Sequence, residues 1–262
     1  MGILNITPDS FSDGGHFLDQ KAAIDHGLAM IAEGADIIDV GGESTRPGAE
    51  AVTESEEIDR IMPVISEITR QSNVPVSVDT MKSEVARIAL REGARIINDV
   101  SALTYDSNMR AVARETGAGV VLMHMKGSPR TMQKDPHYAD VVGEVTGYLK
   151  SRLEQLAADG LDPETMAVDP GIGFGKTVEH NVALLGNMQA LTALGRPVVI
   201  GASRKSFLGK LTGAEVDERL APSLGALVYC VLNGAHVIRV HDVGESRRAA
   251  TVALALADAR KP

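Results

Sequence analysis

Short apolar runs along this chain stop, one after another, on a polar or ionisable side chain. The stopping residues are Asn5, Asp39, Asp79, Asn98, His124, Asp169, the run Ser203 to Lys205, and Arg239 with His241. Carboxylates and carboxamides accept hydrogen bonds, and ammonium, guanidinium and imidazole groups donate them and carry charge. Gathered at one mouth, such groups would make a site for binding or chemistry. Any single Asp or Asn here is as readily a turn former. The whole set asks for a scaffold that makes it converge.

A repeated unit supplies that scaffold. Gly34-Ala35-Asp36-Ile37-Ile38-Asp39, Gly93-Ala94-Arg95-Ile96-Ile97-Asn98 and Gly234-Ala235-His236-Val237-Ile238-Arg239 share one pattern, and Gly117 to His124 is a looser copy. The glycine suits a helix C-terminus, where a left-handed residue is needed. The run after it does not alternate, as expected of a parallel strand buried on both faces. Asp39, Asn98 and Arg239 thereby fall at equivalent strand ends. Further strands are predicted at Met1 to Ile6, Val74 to Asp79, Thr165 to Asp169 and Arg196 to Gly201. Amphipathic helices lie between them: Ile24, Leu28 and Ile31 share one face, as do Val252 and Leu256. Thr53-Glu54-Ser55-Glu56 reads as a capping box. The sum is about eight βα units, an α/β chain forming a single (β/α)8 TIM barrel over residues 1–262. A doubly wound open sheet is the structural alternative. In a barrel the strand ends listed above sit where barrel enzymes do their chemistry.

Composition narrows the class. The formal net charge is −9 and there is no tryptophan. That argues against a nucleic-acid surface, which needs basic patches and stacking rings. An anionic ligand must then be held by a local positive cluster working against the global field. No apolar run reaches the ~20 residues that span a bilayer, and the start carries no signal-peptide pattern. Cys230 is the one cysteine, expected in the core, so the setting is expected to be reducing and cytoplasmic.

The loops after the first two strands, Asn5 to Gly15 and Gly41 to Gly48, are rich in Gly, Ser, Thr and Asp. Such segments offer backbone N–H groups to an anion. The stretch Asp169-Pro170-Gly171-Ile172-Gly173-Phe174-Gly175-Lys176 suggests a phosphate loop but fails. Pro170 stands where a Walker A motif needs its first Gly, and Lys176 stands where a dinucleotide motif needs its last. His236 and His241 lie too far apart for a helical zinc pair, and no cysteine pair exists. His16, His26, His137 and His180 read as surface or helix residues.

These residues carry an end-to-end resemblance to the dihydropteroate synthase family. The matching stretches are Met1 to Gly15, Gly41 to Gly48, Ser77 to Thr80, Ile97 to Ser101, Asp169 to Lys176, Ser203 to Ser206, and Arg239 to Asp242. The family is a (β/α)8 barrel. Its members usually carry a short N-terminal extension before the first strand, which this sequence is expected to lack.

The resemblance implies a transferase that joins 6-hydroxymethyl-7,8-dihydropterin pyrophosphate to p-aminobenzoate. Asp169, Asp79 and Asn98 would meet the donors and acceptors of the pterin edge, and Lys205 its ring carbonyl. Met123 and Phe174 would pack on the ring faces. Thr45, Arg46, Arg239 and His241 would hold the pyrophosphate, and Asn5 would ligate a Mg²⁺ bridging the phosphates. Loss of pyrophosphate would leave a pterin methylene cation, which Asp13 would stabilise or whose attacking amine it would orient. Asp13, Lys205, Arg239 and His241 are thus the expected catalytic residues. Phe11, Pro47 and Phe174 would line the p-aminobenzoate slot, with its carboxylate near Ser206 at a helix N-terminus. The family is commonly dimeric, so a homodimer is expected, with no nucleic-acid or membrane partner. Two other readings use the same barrel: a pterin-dependent methyltransferase, and a pterin-binding protein without turnover. The first has no need for the Ser44 to Gly48 loop or the Arg239–His241 pair. The second requires a lost catalytic group.

Overall fold

A computed structural model describes residues 1–7, 16–44, 51–128 and 131–259, with backbone alone for 16–19. Eight short parallel strands carry the architecture: β1 (Gly2–Asn5), β2 (Ile38–Gly41), β3 (Val76–Asp79), β4 (Ile96–Asp99), β5 (Gly119–Met123), β6 (Met166–Asp169), β7 (Val199–Ile200) and β8 (Val237–Ile238). The first six form one sheet in chain order, and β7 pairs with β8. Single bridges join the two sheets. The Val168 N–H donates to the Pro197 carbonyl at 2.9 Å, and the Val240 N–H donates to the Met1 carbonyl at 3.0 Å. Parallel bridges Val168–Val198 and Gly2–Val240 accompany them. With these the ring runs from β8 back to β1, the (β/α)8 barrel expected from the repeats. The ladders at β7 and β8 are shorter than the apolar runs around them, because Val198 and Val240 pair to β6 and β1 instead.

The glycines before the strands do what the pattern requires. Gly34, Gly93, Gly117 and Gly234 all have left-handed φ, between 64° and 106°. Each reverses the chain at a helix end, where another residue would be strained.

Ten helices are present among the described residues: α1 (His16–Ala32), α2 (Glu54–Gln71), α3 (Ser83–Arg91), α4 (Met109–Thr116), α5 (Val141–Ala158), α6 (Val178–Gly186), α7 (Met188–Thr192), α8 (Ser206–Thr212), α9 (Leu220–Leu232) and α10 (Val243–Asp258). Helix α2 starts at the expected capping box: the Thr53 N–H donates to Glu56 Oε2, and the Glu56 N–H donates to Thr53 Oγ1. In α1 the deeply buried face is Ala23, Gly27 and Met30, with Ile24 and Ile31 at its edges. Gly27 lets α2 approach, since a Cβ there would lie 2.6 Å from Ile68 Cδ1. Cys230 is fully buried in the core. One sequence reading needs correction. The face shared by Val252 and Leu256 is the outer one, 60% and 65% exposed, and α10 packs inward through Val243 and Ala253. Small residues suffice there because α10 lies close against α9.

Candidate active site

The strand ends meet as the barrel demands. Asp79, Asn98, Met123, Asp169, Phe174, Lys205 and Arg239 line one cleft at the C-terminal mouth. Its enclosed free space is about 20 Å³, and among its walls the Lys205 ammonium lies 4.2 Å from the centre of the Phe174 ring. Asp13, Phe11, Thr45, Arg46 and Pro47 lie outside the described residues.

The strand-end carboxylates are organised around Arg239. Its Nε donates to Asp39 Oδ2 at 2.5 Å and its Nη2 to Asp79 Oδ2 at 2.7 Å. Asn98 Nδ2 donates to the same Asp39 oxygen at 3.0 Å. One of the two Asn98 amide N–H groups is thereby committed, and its Oδ1 can accept from a ligand. Asp39 is fully buried, and its other oxygen has no partner. Burial works against the Arg239 charge, but Asp39 and Asp79 outweigh it and raise its pKa. Asp79 is pushed up to about 7, by burial first, with the Arg239 guanidinium opposing and Asp39 adding to the rise.

Asp169 ends β6 beside Met123 of β5. The Gly171 N–H donates to its Oδ1 at 2.7 Å, which leaves Oδ2 and the remaining lone pairs for a ligand. Burial raises its pKa, while the Gly171 N–H, Lys205, Arg239 and Lys176 pull it back. Lys205 falls to about 8 through burial and the nearby Arg239.

His241 lies beside this group. Its own backbone N–H donates to Ser203 Oγ at 3.2 Å, and the same Oγ lies 3.0 Å from His241 Nδ1. With the hydroxyl as donor across that contact, the imidazole proton sits on Nε2. Burial, then Arg239 and Arg204, pushes the His241 pKa down to about 4. The imidazole is therefore a neutral donor near pH 7 rather than a second positive charge. Behind it, Arg204 pairs with Asp242 through both carboxylate oxygens and holds a left-handed φ of 55°. Asn5 closes β1, half-buried, opposite Gly41. Ser206 is exposed at the first position of α8.

Sequence reasoning gave no role to four residues that the geometry brings in. Asp39 orients Arg239, Ser203 orients His241, and His124 with Lys176 lies behind the cleft. All stood at strand ends or inside a quoted motif. Their partners are far away in the chain, Arg239 and Asp39 being 200 residues apart, so spacing alone does not reveal the pairs.

Comparison with known proteins gives these features a family. The model of the pterin binding enzyme family matches residues 1–241. Dihydropteroate synthase of Escherichia coli (strain K12) is 46% identical over 261 residues, covering all of this chain and 92% of that protein. The dihydropteroate synthase of Xanthomonas albilineans, solved with 4-aminobenzoic acid, superposes with a TM-score of 0.92 at 46% identity, covering 98% of this chain and 92% of that one. Its complex with 7,8-dihydropteroate superposes at 0.89 and 43% identity, with the same coverage. The chain belongs to the pterin binding enzymes and, among them, to the dihydropteroate synthases.

Proposed function

We propose that the cleft takes 6-hydroxymethyl-7,8-dihydropterin pyrophosphate and p-aminobenzoate and joins them, releasing 7,8-dihydropteroate and pyrophosphate. One observation carries the reading. Hydrogen-bonding groups suited to a pterin edge (Asp79, Asn98, Asp169, Lys205) meet Arg239 in the cleft, with His241 beside it. In this reading the whole chain, 1–262, acts as one domain.

Asp169 accepts from the pterin amino group and a ring N–H, as a carboxylate with free lone pairs does. Asn98 Oδ1 accepts from a second ring N–H, and Asp79 donates or accepts according to its proton. Lys205, once off the Phe174 ring, donates to the ring carbonyl, and Phe174 and Met123 close on the ring faces. Arg239 keeps Asp39 and Asp79 on two of its nitrogens and turns its remaining N–H groups to the pyrophosphate. His241 adds its Nε2–H. Arg239 thus ties the pterin end of the substrate to its anionic end. As the carbon–oxygen bond to pyrophosphate breaks, the electron pair leaves with the phosphate. Arg239 and His241 bind the departing charge, while the conjugated ring, held by Asp169, carries the positive charge left on the methylene. The amine of p-aminobenzoate then forms the new carbon–nitrogen bond and gives up its proton to solvent. Asp13, Thr45, Arg46, Phe11 and Pro47 complete the reading on the first two loops, with Phe174 and Ser206 bordering the p-aminobenzoate slot.

Mg²⁺ fits this site as a companion of the phosphates. No cluster of three acidic, histidine or cysteine side chains able to hold a metal occurs among the described residues, and Asp39 and Asp79 are taken up by Arg239. The neutral Asn5 carboxamide is left as protein ligand, which suits an ion that keeps waters and binds substrate oxygens. Bound there, it would neutralise charge on the leaving group.

The exposed apolar side chains Tyr229 and Leu232 on α9, with Val252 and Leu256 on the neighbouring α10, support a homodimer. No helix among the described residues is long and apolar enough to cross a membrane, and a cytoplasmic setting suits an enzyme with one buried thiol. Incubation of the protein with both substrates and Mg²⁺ tests the function. Dihydropteroate and pyrophosphate should form together, and only when both substrates are present. Absence of both products would refute it.

A further inference from the structure

Lys176 is 3% exposed and does not line the cleft, yet it sits directly behind it. Its ammonium donates to the Phe174 carbonyl at 2.9 Å, to His124 Nδ1 at 3.1 Å and to the His124 carbonyl at 3.3 Å. All three N–H bonds are thereby used, and none goes to a carboxylate. Two of its targets are main-chain groups adjoining cleft walls: Phe174 is one wall, and His124 follows Met123, another. The loop it closes is pressed tightly on the end of β5. A Cβ on Gly171 would lie 1.9 Å from the His124 carbonyl oxygen, and Gly171, Gly173 and Gly175 all have left-handed φ. A loop of three such glycines has much backbone freedom to lose, so something must hold it.

We propose that Lys176 is a positioning residue for the pterin subsite, stapling the 170–176 loop to the end of β5 and placing a buried ammonium behind Asp169. The inference rests on the pterin reading above. Lys205 and Arg239 also support the Asp169 charge, but both line the cleft. Lys176 is walled off from it. The groups facing this pair are few. His124 directly follows β5, with Tyr148 edge-on to it at 5.0 Å and Tyr138 at 6.1 Å. His180 of α6 meets the Tyr138 ring, and Lys126 and Glu144 pair at the rim. Asp169 itself meets the Gly171 N–H, Lys205 and Arg239. Burial lowers the Lys176 pKa to about 7, with Asp169 holding it up, and burial lowers that of His124 to about 3. Removing the ammonium should therefore leave Asp169 easier to protonate.

The test is a titration of a phosphate-free dihydropterin against pH, using the parent, Lys176→Met and Lys176→Gln. The parent should bind and lose affinity on the acid side as Asp169 takes up its proton. Both variants should bind about tenfold more weakly near neutrality, with that acid limb moved up by about one pH unit, since one unit corresponds to tenfold. Their affinity for inorganic pyrophosphate should stay within about twofold of the parent's, a shift too small to reflect a lost contact. Glutamine keeps a donor for the Phe174 carbonyl, so Lys176→Gln serves should Lys176→Met fail to fold. An acid limb unmoved in a folded variant would overturn the proposal. Equal losses for pterin and pyrophosphate would overturn it too, pointing to general loosening. A parent that binds no dihydropterin would instead overturn the pterin reading on which the inference stands.

Discussion

Asp169→Asn isolates the contact that the pterin reading leans on most. In the parent, Asp169 Oδ1 already accepts the Gly171 N–H at 2.7 Å. The asparagine oxygen must stay there, because turning the amide nitrogen to Gly171 would set donor against donor. The new NH₂ then faces the ligand, where the pterin presents its own amino group and a ring N–H. Two charge-assisted acceptor bonds are lost, each contributing about 1.5–3 kcal/mol. Their sum, about 3–6 kcal/mol, corresponds to roughly a hundredfold to ten-thousandfold weaker binding. The free protein should tolerate the change, since burial already disfavours this carboxylate. Calorimetric titration with a phosphate-free dihydropterin gives the number directly. Pyrophosphate affinity serves as the control, because Arg239 and His241 hold no hydrogen bond to Asp169. A dissociation constant within about threefold of the parent's, less than one such bond is worth, would refute the assignment.

Further outcomes follow from other parts of the site. Ser203→Ala frees the His241 tautomer, and pyrophosphate affinity should fall about three- to tenfold, the worth of one hydrogen bond, while pterin affinity holds. His124 is kept neutral in the folded protein, its pKa pushed down to about 3 by burial and then Lys176, against about 6.5 unfolded. The folded state therefore binds fewer protons in that window, and stability present above it is lost as pH falls through it. His124→Gln cannot charge, so its urea midpoint should fall less than the parent's between neutral and acid pH; a parallel fall would contradict this. Lys82 donates to both Glu43 and Glu57 at 2.5 Å, and Glu57 is 1% exposed with one oxygen unpartnered. Lys82→Met should therefore cost about 3–5 kcal/mol in denaturant unfolding, and adding Glu57→Gln should restore part of it.

Much of this arrangement was legible in the residues. The Gly-Ala units announced buried parallel strands because a left-handed glycine and a run without alternation are local features. The same units put Asp39, Asn98 and Arg239 at equivalent strand ends, and these three do meet through Asp39 Oδ2. What was not legible is who pairs with whom around the ring. Arg239 and His241 read as a positive pair for an anion; burial makes His241 a neutral donor, and two carboxylates already share Arg239. Pairing across a barrel depends on register and tilt, which leave no local mark. Val252 and Leu256 misled for a related reason. Helical spacing tells which residues share a face but not whether a neighbour covers it.

In the proposed reading one cleft holds two adjoining subsites, one for the pterin ring and one for pyrophosphate, joined by Arg239. Competition calorimetry on the parent protein tests it most directly, using a phosphate-free dihydropterin, inorganic pyrophosphate with Mg²⁺, and the pyrophosphate ester of the pterin. The dihydropterin and pyrophosphate should bind together without displacing one another, and the ester should displace both. Displacement of dihydropterin by pyrophosphate, or an ester that competes with only one of them, would contradict it.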